Sequence, residues 1–256
     1  MIHVKPRPIT QKGSYELRSL GTEAQEVILS GIAVSSEGQI AVCDQGYNRL
    51  IILNEDGVFK ETIGRSGREE GEFSLPDGVA YNRNNHLFVS DYGNHRIQMY
   101  DHRAGKFSYT FGTGGSADGQ LNFPCGLSVD DNGNIIVSDW GNKRVQVFDE
   151  RGHFKFKFSS HATFCEKSWL GCQSGMIEPQ HCISCKNLFF VSDISENCVK
   201  VFNENGIFLY KFGCLDSPQG LAIIDREILC VCDPNSNCIN LYYLDGNFIT
   251  NFPNMN

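Results

Sequence analysis

No stretch of the 256 residues approaches the ~18 consecutive apolar positions of a membrane-spanning helix. The opening "MIHVKPRPITQKG" lacks the apolar core of a secretory signal. No window shows the 3.6-residue apolar spacing of an amphipathic helix, which argues against helical bundles and strand-helix solenoids. The motifs G-x-S-x-G, H-E-x-x-H and the P-loop are missing, and no G-x-G-x-x-G leads from a strand into a helix. The usual signals of hydrolases, metalloproteases and nucleotide-binding enzymes are therefore not there. Positive charge is also short: the formal net charge is -8. A nucleic-acid face would then have to be a local patch rather than a property of the whole surface. Tryptophan is scarce, with two in the chain, so the position of each matters.

Cysteine is not scarce. Eleven are present, an odd number, so at least one cannot pair within the chain. Together with the opening segment this leads us to expect a cytoplasmic protein with reduced thiols.

What is abundant is repetition. "SDYGNHRIQMYDHR" at Ser90 and "SDWGNKRVQVFDERG" at Ser138 are near copies. Equivalent aspartates fall at Asp44, Asp91, Asp139, Asp193 and Asp233, about 40 to 54 residues apart. Each unit opens with a small turn and an apolar tetrad: "GIAV", "GVAY", "GLSV", "HCIS" and "GLAI". In four of the five a proline stands two residues ahead (Pro76, Pro124, Pro179, Pro218). A polar turn follows, then a β-branched run ending at the aspartate, a short loop, and an alternating strand such as "RVQVFD". A Gly turn leads to an outer strand with spaced aromatics. Four short strands per unit predict an all-β chain, a β-propeller of four-stranded antiparallel blades. The units run over about residues 31–64, 78–112, 126–158, 181–213 and 220–252, read as one domain spanning 1–256.

The loop motifs "DYGNHRIQMYD" and "DWGNKRVQVFD" resemble NHL repeats, and the likeness covers roughly residues 13–252. It is strong in units two and three, good in one, and weaker in four and five, where Cys198 and Cys238 replace the arginine. The resemblance implies a propeller, six-bladed in most of the family. It implies a module at the C-terminus of tripartite-motif proteins that binds protein partners or RNA; other relatives belong to a copper- and zinc-dependent peptide-amidating enzyme or to bacterial receptor kinases. A leading segment, "GSYELRSLG" at Gly13–Gly21, resembles an outer strand that completes a last blade. Five units are nevertheless visible, so either the inner strands of a sixth blade lie outside this sequence or the ring closes differently.

Within the repeat, joinery and candidate site divide. The aspartate is present in all five units, whereas the arginine five residues on is present in three, as Arg49, Arg96 and Arg144. A carboxylate that persists without its cation is expected to accept chiefly backbone N–H groups in the loop after its strand. The arginine is then a supporting fork. Gly46, Gly93 and Gly141 fit a loop position needing positive φ. Tyr92 and Trp140 follow their aspartates directly, and Tyr47 lies in the corresponding loop of unit one. With His95 and Lys143 these rings form either a partner-binding surface or packing against the next blade. Arg65 and Arg68, in "GRSGREEGEFSLP", can reach phosphate, but Glu69, Glu70 and Glu72 offset them. The plainer reading of that mixed loop is a solvated face.

The longest gap holds Cys165, Cys172, His181, Cys182 and Cys185. C-x-x-C is a zinc half-site, yet the spacing matches no standard module, and alignment puts Cys182 on an inner strand. Phe164, Trp169, Leu170 and Met176 make this insertion a blade-edge embellishment or partner contact. No metal or cofactor is expected. The sequence thus predicts a non-enzymatic recognition module for a macromolecular partner. A protein stands first, through substrate recruitment in a tripartite-motif-type ubiquitin ligase. RNA bound through the face carrying Tyr92 and Trp140 stands second, and a metal-dependent lyase or hydrolase is a distant third.

Overall fold

The computed structural model describes residues 27–159 and 178–253. The expected leading strand at 13–21, and Cys165, Cys172, Phe164, Trp169, Leu170 and Met176, lie outside the described residues.

Five four-stranded antiparallel blades follow one another in chain order. Blade one is β1 (Leu29–Val34), β2 (Ile40–Asp44), β3 (Arg49–Leu53) and β4 (Phe59–Ile63). The connecting loop carries a short parallel pair, β5 (Arg65–Ser66) and β6 (Glu72–Phe73), where the sequence suggested only loop. Blade two is β7 (Pro76–Tyr81), β8 (His86–Asp91), β9 (Arg96–Asp101) and β10 (Lys106–Phe111). Blade three is β11 (Pro124–Val129), β12 (Ile135–Asp139), β13 (Arg144–Phe148) and β14 (Phe154–Phe158). Blade four is β15 (Pro179–Cys185), β16 (Leu188–Asp193), β17 (Cys198–Asn203) and β18 (Phe208–Phe212). Blade five is β19 (Leu221–Ile224), β20 (Ile228–Asp233), β21 (Cys238–Tyr243) and β22 (Phe248–Pro253). Helix is confined, among the described residues, to two 3₁₀ turns, Tyr92–Asn94 and Trp140–Asn142.

Local chemistry makes the hairpins. The turns open on Asn or Asp, and the side chain caps its own loop. Asn54 Oδ1 accepts from the backbone N–H of Asp56 and Val58, and Asp130 Oδ1 from Asn132 and Asn134. The β-branched runs of blades two, three and four bury both faces, because each of these sheets is packed between two others. The core is accordingly a series of slabs between blades. One holds Leu50, Ile52 and Phe73 with Leu87, Val89 and Tyr100; the next joins Phe88, Ile97 and Met99 to Leu127, Ile135 and Phe148.

The innermost strands β1, β7, β11, β15 and β19 pack in succession around the axis. Their approach demands glycine: a Cβ on Gly31, Gly78 or Gly126 would collide with the carbonyl oxygen of Asp77, Cys125 or Gln180 on the next blade. Blade four has His181 at this position instead, and blade five stands further off. The buried imidazole fills the gap, its Nε2 reaching Leu127 O at 3.2 Å while its Nδ1 accepts from Leu221 N–H at 3.3 Å. Burial pushes its pKa down, so the ring bridges three blades in its neutral form. The outermost faces of blades one and five leave apolar side chains in solvent, with Ile32 66 % and Phe252 58 % exposed.

Candidate partner-binding face

Two sets of equivalent positions meet at one end of the axis. The residue directly after each blade aspartate is Gln45, Tyr92, Trp140, Ile194 or Pro234. On the inner strands, the residue after the first one is Ser30, Asp77, Cys125 or Gln180 in blades one to four. In each of those four blades the pairing of first and second strands slips at this point, a β-bulge. A bulge re-aims a side chain. Gln45, Tyr92 and Trp140 converge with Asp77, Cys125, Gln180 and Leu75 on a cavity of about 320 Å³.

The cavity is aromatic-walled and acidic. The Tyr92 ring lies 4.9 Å from Phe123 and 6.4 Å from Trp140, centroid to centroid. Asp77 Oδ1 accepts from Gln45 Nε2 at 2.7 Å, and no cation pairs with the carboxylate among the described residues. Burial raises its pKa to about 6, opposed by a hydrogen bond from Ser30. Cys125 is a buried thiol directed at Pro179 O (3.2 Å) and Gln180 O (3.3 Å), and burial pushes its pKa well up. Trp140 carries a buried indole N–H with no acceptor among the described residues.

The other predicted site residues are dispersed. Tyr47 stands apart from the cavity, its ring under the Arg49 guanidinium at 4.6 Å; the blade-one counterpart of Tyr92 and Trp140 is Gln45. His95 is a clasp: its Nδ1 accepts the Phe123 N–H at 3.0 Å, as Asn48 Oδ1 does for Leu75 and Asn197 Oδ1 for Ser217. Lys143 pairs with Glu178 at 3.0 Å across the gap to blade four. Arg65 pairs with Glu72 at 3.0 Å while staying largely exposed. Hydrogen bonds from the 68–69 backbone and from Arg65 hold the Glu72 carboxyl below its usual range. Arg68 lines a second cavity of about 300 Å³ with Gly93, Asn94, His95 and Arg96.

The repeated aspartates are joints, and here two expectations are corrected. Their backbone partners come mainly from the loop before the blade rather than from the loop after the strand. Asp91 accepts Ser74 N–H at 2.7 Å, Asp139 accepts Asn122 N–H at 2.7 Å, Asp193 accepts Glu178 N–H at 3.1 Å, and Asp233 accepts Asp216 N–H at 2.9 Å. Asp44 takes Tyr47 N–H at 3.3 Å and Asp193 also takes Ser195 N–H at 2.9 Å, both from the loop after the strand as expected. The lead-in loop must be pinned where it crosses the second strand, and the long-range acceptor does that. Nor is Asp193 without a cation: Lys200, buried on the same strand face as Cys198, reaches it at 2.6 Å. Period-two alternation puts residues 198 and 200 side by side.

Arg49, Arg96 and Arg144 hold Asp44, Asp91 and Asp139 at 3.0, 2.8 and 2.7 Å. Arg96 also binds Glu69 O and Glu72 O, and Arg144 binds Ser116 O, Ala117 O and Gln120 O, so the fork fastens the lead-in loop. Gly46, Gly93 and Gly141 do not take positive φ; the left-handed residues are Asn48, His95, Lys143, Asn197 and Asn237. Gly93 and Gly141 are required by contact instead, since a Cβ would strike Ser74 or Asn122.

Asp77 and Cys125 went unmarked in the sequence, although a signal existed. They stand between the proline and glycine of "PDG" and "PCG", in a frame that otherwise repeats. Cys43, Cys182, Cys198, Cys230, Cys232 and Cys238 lie in strands, and Cys182 is fully buried like the Leu127 it replaces. Among the described residues no His, Cys, Asp and Glu side chains gather as a metal-ligand set.

By class this is a five-bladed all-β propeller with an aromatic-walled, acidic recess at one mouth of its axis. The NHL repeat model matches residues 73–100 and 121–148, the loops and strands around Asp91 and Asp139. The chain is similar to Protein brain tumor of Drosophila melanogaster, 32% identical over 81 residues. That match takes in 31% of this chain and spans 8% of the relative's length. Among solved structures it resembles a streptogramin B lyase, with TM-score 0.65 and 13% identity over 91% of this chain and 70% of that one. It also resembles a chain of a nidogen/laminin complex, with TM-score 0.67 and 14% identity over 89% and 80% respectively. At these identities the structural likeness establishes the fold alone.

Proposed function

We propose that this propeller is a non-enzymatic recognition module that docks a protein on the face carrying Tyr92 and Trp140. The observation that carries the reading is the recess itself: two aromatic walls over an unpaired carboxylate, Asp77. Aromatic side chains at the edge of a desolvated pocket are what protein hot spots are made of. The cations nearby are engaged already, Lys143 by Glu178, Arg65 by Glu72, and Arg96 and Arg144 by aspartates and carbonyls. That leaves few charges for a phosphate backbone. In this reading the module recruits substrates within a tripartite-motif-type ubiquitin ligase in the cytoplasm, supported by the NHL match and the similarity to Protein brain tumor. RNA is the second reading, favoured by Arg68 beside its own recess.

The test compares wild type with Tyr92→Ala and Trp140→Ala in capture of crosslinked partners, analysed for both protein and RNA. Loss of the same protein partner in both variants, with unchanged thermal melts, supports the reading. RNA binding that falls steeply between low salt and about 100 mM, and is lost in the same variants, reverses the ranking. Partners retained by both variants overturn it.

A further inference from the structure

The recess has a chemistry of its own, and it rests on the reading just given. We infer that it takes a single basic side chain, the guanidinium or ammonium of an arginine or lysine in the partner protein. Asp77 is the centre of this inference. It sits on the bulge of β7, where the chain places Cys125 and Gln180 in the next two blades. Bulges are features that a fold keeps for aiming a side chain. What this one aims is a carboxylate with no cation, in a molecule that pairs the buried aspartates of four of its five blades. The fifth, Asp233, is held by backbone N–H.

The surroundings suit a cation and nothing anionic. Gln45 uses its amide N–H on Asp77, which leaves its carbonyl oxygen as an acceptor. Cys125 directs its thiol at backbone carbonyls, and burial keeps it protonated, so it brings no competing charge. Tyr92 and Trp140 line the recess, and aromatic rings attract a guanidinium or ammonium once water is excluded. A basic side chain of a partner protein brings a charged head for Asp77 and an aliphatic stem that covers the rings, whereas a small free cation brings only the charge. The cavity, about 320 Å³, holds one long side chain and excludes a folded element.

Among the described residues the titratable groups facing Asp77 are Cys43, Tyr92 and Cys125, and burial raises the pKa of all three. Asp77 is thus the group in the recess that titrates between about pH 5 and about pH 7.5, and basic ligands bind more tightly at the higher value.

Trp140 reports on its own site. In a Trp169→Phe background it is the single tryptophan, and its fluorescence is titrated with short arginine, lysine and glutamate peptides and with oligouridine. The expected result is saturable binding of the arginine or lysine peptide, weakened by at least about tenfold in Asp77→Asn and at the lower pH. Asp77→Asn keeps the acceptor for Gln45 and removes only the charge. Unchanged affinity in Asp77→Asn, absence of binding by both basic peptides, or binding of the glutamate peptide or oligouridine with equal strength would overturn the inference. A partner lost in Trp140→Ala yet retained in Asp77→Asn sinks this inference alone. A partner retained in both removes the docking face with it.

Discussion

Blades two and three build their central joint one way, blades four and five two other ways. In blades two and three an Arg, a Gln and an Asn surround the aspartate, as in Arg144, Gln146 and Asn142 around Asp139. Blade four puts Cys198 at the arginine position and moves the cation two residues along the same strand face, to Lys200. Blade five has Cys238 and Asn240 at these positions, and Asp233 is held by two contacts from one backbone N–H. The common element is the backbone donor from the lead-in loop. Charge is the variable element, so the joint is defined by its acceptor and only reinforced by a cation.

The largest effect should separate the charged joints from the uncharged one. Asp139→Ala strands a buried Arg144 and frees the Asn122 N–H, and about 3–5 kcal/mol of stability is lost. Asp233→Ala removes only a neutral donor's acceptor, at about 1–3 kcal/mol. Urea denaturation of both variants measures the gap, and equal losses would break the comparison.

Next in size is the exchange of one joint for another. Lys200→Gln leaves Asp193 buried without its cation and costs about 3 kcal/mol. Adding Cys198→Arg recreates the blade-three arrangement and should recover most of that loss. If the double variant is no better than the single, the two joints are not equivalent.

Asp77 acts in the opposite sense to the joint aspartates. Its pKa is about 6 in the folded chain, against about 4 for an unfolded one. The neutral form is the one the fold tolerates. Stability from this group is complete below about pH 4, is lost as pH rises to about 6, and is level beyond. A roughly 100-fold change in acidity bounds the loss at about 3 kcal/mol. Asp77→Asn should therefore stabilise the protein near pH 7 by about 1–3 kcal/mol and remove that slope. A destabilised variant would show that the carboxylate is a joint after all.

The smallest effect tests the clasp. His95→Asn substitutes the residue that Asn48 and Asn197 provide in other blades, in the same left-handed conformation, and changes stability by about 0.5 kcal/mol or less. His95→Ala loses the acceptor for Phe123 N–H, at about 1 kcal/mol. Thermal melts distinguish the two.

Strand order, blade form and the buried aspartates were legible in the sequence, because each depends on local periodicity that recurs five times. Tyr92 and Trp140 stood out as aromatics at one position of the repeat, and the structure sets them 6.4 Å apart on one cavity. Three matters depended on contacts between segments that the repeat does not align. Which loop donates to each aspartate was decided 15 to 17 residues upstream, by where the lead-in loop crosses the second strand. That Lys200 stands in for an arginine follows from side-by-side placement on one strand face, which a column-by-column reading of the repeat misses. That Asp77 is a candidate site residue, while Asp91 is joinery, depends on what surrounds each carboxylate. One meets backbone N–H, Asn, Gln and Arg; the other meets a glutamine, in a recess it shares with a thiol and two rings. Sequence periodicity sets the alternation of faces and the positions of turns, since these are properties of a few consecutive residues. Desolvation and ion pairing are properties of a neighbourhood, assembled here from several strands and their lead-in loops and, at Asp77, from several blades.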